Sequence, residues 1–347
     1  MLIFSIVVLT VQEKEYFCSE IRGSLSMISR RLLRIKALLI LYAFNRRDDD
    51  DLALAEKELL FSINKTYDLY HYLLLLVLEL AKIASERIDQ ALRKRVPTPD
   101  DLNPIRKFVD NQVIKQLNDN LALNRYISAT KISWVNNPHV PRMLYNKMIG
   151  WEVYNDYLLS EDNSYLNDRK FIIRLITDLI TGCEDFLTNI EEQSIYWNDD
   201  LEYVTAMVEK TLKKFRPDSG ERTGLLPMFK NEEDKDFVIL LFRKAVVNSG
   251  RCSELIENNT TNWELERIAL MDILVMQLAV TEILEFPEIP VKVTLNEYIE
   301  IAKYYCTSKS STFVNGILDN IVREIRKEGL FNKQGRGLVG ETVREDV

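Results

Sequence analysis

Apolar and polar positions alternate with a helical period along most of the chain, most clearly from Trp263 to Ile321. From Ile268 to Leu284 nearly every residue is apolar, with Asp272, Gln277, Thr281 and Glu282 as the exceptions. A helix that apolar is contacted on most sides, so the pattern predicts a central one. Asn262 is placed to cap it. Pro287 and Pro290 end it, because proline lacks an N–H and clashes with the preceding turn. Thr294 to Glu297 reads as a capping box opening a second helix, with Leu295, Tyr298, Ile299, Ala302 and Cys306 on one face. Ser308 or Ser310 can cap a third, whose stripe is Phe313, Ile317, Leu318, Ile321 and Ile325. Gly316 inside that helix costs about 1 kcal/mol against alanine, which predicts another backbone passing close by.

Nearer the start, Leu32, Ile35, Leu38, Leu39 and Tyr42 form an apolar stripe. From Ile21 to Arg47 the chain has seven basic residues and no acid. Arg30, Arg34 and Lys36 fall away from most of the stripe. Asp48 to Asp51 is an acidic break, and a long helical stretch follows from Ala53 to about Arg95. Val96-Pro-Thr-Pro99 ends it, with Thr98, Pro99 and Asp101 signalling a new start. Amphipathic helices are predicted at 100–120, 141–160, 166–190 and 196–215. Arg216 to Gly224 is the most linker-like segment. Asn231, with Glu232, Glu233 and Asp234 behind it, caps the next helix and puts acids at its positive end. After Lys327 the sequence turns polar and reads as a frayed tail.

Composition narrows the function classes. A net charge of −8 argues against indiscriminate polyanion binding, so any nucleic-acid role needs a local basic patch. The four cysteines are scattered without a CxxC, which suits reduced thiols in a cytosol. His71 and His139 are far apart and lack ligand partners at metal spacing, so neither a metal site nor a cofactor is expected. The richest internal apolar run, Leu73 to Leu80, is too short to span a bilayer and contains Glu79. Met1 to Thr10 looks like a signal core without a basic n-region or a small-residue cleavage site. An early start codon, with Met27 as the true first residue, explains the 1–26 leader best.

Several of these pieces occur in a family-specific order. They are Trp263 with Glu266-Arg267, Glu282-Ile-Leu before Pro287 and Pro290, Asn296-Glu297, Ala302-Lys303, and Phe313-Val-Asn-Gly-Ile-Leu-Asp319. Together the run resembles the C-terminal half of the NusB family of transcription antitermination factors. The basic start of the first helix and its Ala37 to Tyr42 run resemble that family's first helix, and Leu240–Ile256 resembles it more weakly. The resemblance implies an all-α fold of two packed helical subdomains. Here these would be residues 27–95 and 231–327, with 96–230 as inserted helices and 328–347 as a flexible tail.

The resemblance also implies binding of boxA-type single-stranded RNA together with NusE, a small ribosomal subunit protein, and action on the RNA polymerase elongation complex. RNA contacts would fall to Arg30, Arg31, Arg34, Lys309 and Phe313. Lys309 stands where an acid is common in the family, and Met276-Gln277 where Leu-Arg is usual. Asp272 and Tyr42 would face NusE, while Glu297, Asn315 and Gly316 would be structural. Without the resemblance, an arginine run is ordinarily a solvated face and a phenylalanine at that spacing a core residue. A protein scaffold lacking RNA binding is the alternative. NusB-like domains are also fused to ribosomal RNA methyltransferases, but this chain has no glycine-rich strand–loop and no Pro-Cys motif, so no enzyme is expected.

Overall fold

The computed structural model describes residues 26–47, 50–260, 268–307 and 310–339. Asn262, Trp263, Glu266, Arg267, Ser308, Lys309 and the leader up to residue 25 lie outside them. The described residues are helical with no strand, an all-α fold. Among them, no helix is long and apolar enough to cross a membrane, and no acidic, His or Cys cluster could hold a metal ion. Contacts divide the chain into two compact units, one from 28–63 and 229 onward, the other from 64–228 with Met27. The division falls inside the long second helix rather than near residue 95. It joins the basic first helix to the C-terminal helices.

In chain order, α1 is Arg30–Phe44 and α2 is Leu52–Leu92. Then come α3 (Pro99–Leu102), α4 (Gln112–Asn118), α5 (Leu121–Thr130), α6 (His139–Ile149) and α7 (Glu152–Leu159). The middle region ends with α8 (Tyr165–Arg174), α9 (Glu184–Gln193) and α10 (Leu201–Lys214). The C-terminal helices are α11 (Glu232–Val247), α12 (Ser249–Asn258), α13 (Leu270–Glu285), α14 (Val291–Tyr305) and α15 (Ser310–Lys327).

In the first unit α13 is central, packing against α1, α11, α12, α14 and α15. Its polar exceptions are buried, and two of them bond to backbone: Gln277 Nε2 donates to the Ala245 carbonyl at 2.7 Å, and the Thr281 hydroxyl to that of Gln277 at 2.7 Å. Gln277 thus anchors α13 to α11. Pro287 and Pro290 end the helix as predicted. The expected capping box does not form. Pro290, already in the extended conformation, is the N-cap, so α14 begins at Val291 and Thr294 sits inside it. Thr294 and Glu297 are freed for other partners. Gly316 also departs from expectation: it is exposed, and a Cβ there would meet nothing within 4 Å. Among the described residues, no backbone approaches it.

The segment after Lys327, expected to fray, is seated through residue 339. Buried Lys333 donates to the Ile283 and Phe286 carbonyls at 2.9 and 3.0 Å, capping the C-terminus of α13. The Gln334 amide donates to the Pro287 carbonyl at 3.0 Å. Gly337 fits because any Cβ would stand 1.9 Å from that carbonyl oxygen.

In the second unit the long predicted helices are cut short. Asn103-Pro104 stops α3, Gly150 parts α6 from α7, and a wide turn over Leu175–Ile180 with Gly182 parts α8 from α9. At Gly182 a Cβ would meet the Asp178 carbonyl oxygen at 2.5 Å. Asn111, Tyr157 and Asp168 form a buried polar knot: the Tyr157 hydroxyl donates to Asp168 at 2.7 Å and the Asn111 amide to Tyr157 at 3.0 Å. The linker-like 216–224 segment is pinned. Gln116 donates to the Arg216 and Gly220 carbonyls, and Asn120 to that of Thr223.

Candidate nucleic-acid interface

Ser29 caps α1, its hydroxyl accepting from the Leu32 amide at 3.3 Å. This fixes the first turn and places Arg30, Arg31 and Arg34 against three other helices of the same unit. Each arginine meets a carboxylate, in three degrees of burial.

Arg34 is the innermost. Its side chain is 4% exposed, and Nε and Nη2 donate to both oxygens of Glu282 at 2.7 and 2.8 Å. Glu282 itself is fully buried on α13. Its oxygens also accept from the Thr294 hydroxyl at 2.8 Å and the Tyr298 hydroxyl at 3.2 Å. Burial opposes the charge on Arg34, but the field and hydrogen bonds of Glu282, helped by Tyr298 and Glu297, outweigh it and raise the guanidinium pKa. Burial, then Glu282, pushes the Tyr298 phenol well above its ordinary range. The sequence reading set Arg34 and Lys36 off the apolar stripe, yet both are buried.

Arg31 lies at the edge, with a side chain 10% exposed. It grips Glu297 of α14 with two nitrogens, at 2.8 and 3.1 Å. Glu297 also lies 3.5 Å from Arg34. It therefore ties α14 to α1 rather than capping its own helix.

Arg30 is outermost, its side chain 41% exposed. Nε donates to Asp234 Oδ1 at 2.8 Å, and the guanidinium lies 5.0 Å from the centre of the Phe237 ring. Asp234 is the third residue of α11, where the helix dipole favours a negative charge. Its own amide is held by the Asn231 cap at 3.2 Å.

The other expected residues gather elsewhere. Asp272 is buried in the first turn of α13 and accepts from the Ser310 hydroxyl at 2.8 Å, bracing the start of α15. Burial, with Asp272 adding, raises the Cys306 thiol beside it. Phe313 is half-buried in the first turn of α15, and the Asn315 amide lies 3.5 Å from Asp319. Tyr42 is half-buried near the other end of α1, with the Arg46 guanidinium 5.5 Å from its ring centre.

The NusB family profile matches residues 167–323. The transcription antitermination protein NusB of Salinibacter ruber is 42% identical over 121 residues, covering 35% of this chain and 76% of that protein. The chain belongs to the NusB family. The NusB of Chloroherpeton thalassium is 44% identical over 112 residues, 32% of this chain and 53% of that protein. The NusB of Natranaerobius thermophilus is 33% identical over 97 residues, 28% and 70% respectively. No solved structure matches. The NusB match begins inside α8, so it reaches back into the second unit as well as covering most of the C-terminal helices.

Sequence reading singled out the arginines but missed Asp234, Phe237 and Glu282 as their partners, and Thr294 and Tyr298 as the hydroxyls that donate to Glu282. One signal was available. An acid such as Glu282 in the middle of an otherwise apolar helix must be paired with a cation if it is buried.

Proposed function

We propose that this chain is a cytoplasmic RNA-binding antitermination factor. It recognises boxA-type RNA together with NusE and modifies the RNA polymerase elongation complex. The observation that carries the reading is the half-exposed arginine end of α1, held on a scaffold of the NusB family, whose named members are transcription antitermination proteins. Single-stranded RNA needs cations for phosphates and flat groups for bases. Arg30 is the most accessible of the three arginines. Phe313 lies in the first turn of α15 and Lys309 immediately precedes that helix in the chain, so both remain proposed contacts. Arg31 and Arg34 act from beneath, fixing the helix end that presents Arg30.

The test is fluorescence anisotropy of boxA-type RNA against a scrambled control, with and without NusE, across salt. Selective binding strengthened by NusE, with a log–log salt slope of about −0.7 per phosphate, supports the reading. No selectivity with NusE present rejects it in favour of a protein-interaction scaffold.

A further inference from the structure

We infer that Asp234 competes with RNA phosphate for Arg30 and so limits this protein's RNA affinity. The inference rests on the RNA-binding reading above and assigns a control element to that site.

Three observations support it. Arg30 gives Asp234 its Nε alone, whereas Arg31 and Arg34 each give a carboxylate two nitrogens. The Asp234 side chain is only 8% exposed while that of Arg30 is 41% exposed, so the carboxylate is fixed and the guanidinium faces solvent at one edge. The backbone of Asp234 is also anchored independently of Arg30, its amide donating to the Asn231 cap, and the carboxylate sits at the positive end of α11. An incoming phosphate therefore meets an arginine already paired with a buried carboxylate. It must share the guanidinium with a like charge a few ångströms away. Such proximity raises the energy of the complex, within the distance over which physiological salt screens incompletely. Phe237 keeps the guanidinium in place in either state, since the face of the ring holds the cation without neutralising it.

The experiment uses the full chain with Asp234→Asn, which keeps the shape at that position and removes the charge. Glu233→Gln is the control: it makes the same change in net charge one residue away, on an exposed side chain. Asp234→Asn should tighten boxA-type RNA binding about three- to tenfold at low salt and steepen the salt slope by about 0.7, one added phosphate. Glu233→Gln should shift affinity less than twofold and leave the slope unchanged. Adding Arg30→Gln to Asp234→Asn should erase the gain, whereas Arg30→Gln alone should weaken binding only slightly. A circular dichroism melt of each variant checks that the fold is kept. If Asp234→Asn melts early, Arg30→Gln alone still decides: a loss of tenfold or more would mean that Arg30 is already fully engaged by RNA, and would overturn the inference. Wild-type binding that is selective but unchanged by Asp234→Asn overturns the inference and leaves the RNA reading standing. Absence of selective binding by every form removes both.

Discussion

Arg34→Met separates a structural arginine from an RNA-contacting one. The variant keeps most of the side-chain volume and removes the charge. In the folded protein it leaves Glu282 fully buried, with two hydroxyl donors, Thr294 and Tyr298, where it had those and two guanidinium nitrogens. Removing one partner of a buried ion pair costs about 3–5 kcal/mol, because the other charge is stranded. At roughly 2–4 °C per kcal/mol for a unit of this size, the melting temperature should fall on the order of 6–20 °C. Adding Glu282→Leu removes the stranded charge, and the double variant should recover part of the loss. Thr294 and Tyr298 then lack their acceptor, so recovery is incomplete. The double-mutant cycle in urea should give a coupling of about 2–3 kcal/mol, high for residues in contact. If Arg34→Met instead costs under about 1 kcal/mol while RNA binding drops tenfold, Arg34 reaches phosphate and the buried assignment is wrong.

Three further outcomes follow from particular residues. Gly316→Ala should stabilise the protein by about 0.5–1 kcal/mol, since α15 gains helix propensity and the added methyl meets open space; a loss in the urea midpoint would mean a neighbour is present after all. Lys333→Met should cost about 1–3 kcal/mol by leaving the Ile283 and Phe286 carbonyls without their donor, and a chain ending at Lys327 should melt at least as early; an unchanged melt would mean that the tail contributes nothing. His71 is buried beside Tyr67 and Tyr126, and burial lowers its pKa from 6.5 to about 4. As pH falls below 6.5 the unfolded chain takes up this proton and the folded one does not, so stability is lost down to about pH 4. That contribution should be roughly 2–3 kcal/mol over the window and absent in His71→Gln, compared by urea midpoints at pH 7 and pH 4.5.

Much of the fold was legible because it is written locally. The apolar run of α13, the prolines behind it and the stripe of α15 each depend on neighbours in sequence. Local signals failed where two were in competition. Thr294 and Glu297 have capping-box spacing, but Pro290 sets an extended conformation four residues earlier and starts the helix first. In the second unit, amphipathic spacing ran on across Pro104, Gly150 and Gly182, where the chain in fact turns. The packing of 328–339 onto the Pro287 turn was not legible at all, because a polar, glycine-bearing segment has the same composition whether it frays or is pinned by one buried lysine.

The candidate site was legible as a set of residues but not as a set of charges. An arginine run suggests free cations, and three of them on α1 would imply about three phosphates and a contribution of about 2 to the salt slope. The carboxylates that engage them lie 204, 248 and 266 residues away in the chain, so no local pattern reveals the pairing. Once paired, Arg34 has no access to solvent and Arg31 little, and Arg30 is shared with Asp234. With these ion pairs intact, α1 would offer the proposed RNA at most one phosphate contact, about 0.7 in slope. A measured drop of about 2 on charge-neutralising all three arginines, in a variant that still folds, would mean that RNA opens these ion pairs. The folded arrangement of α1 would then be a resting state rather than the binding-competent one.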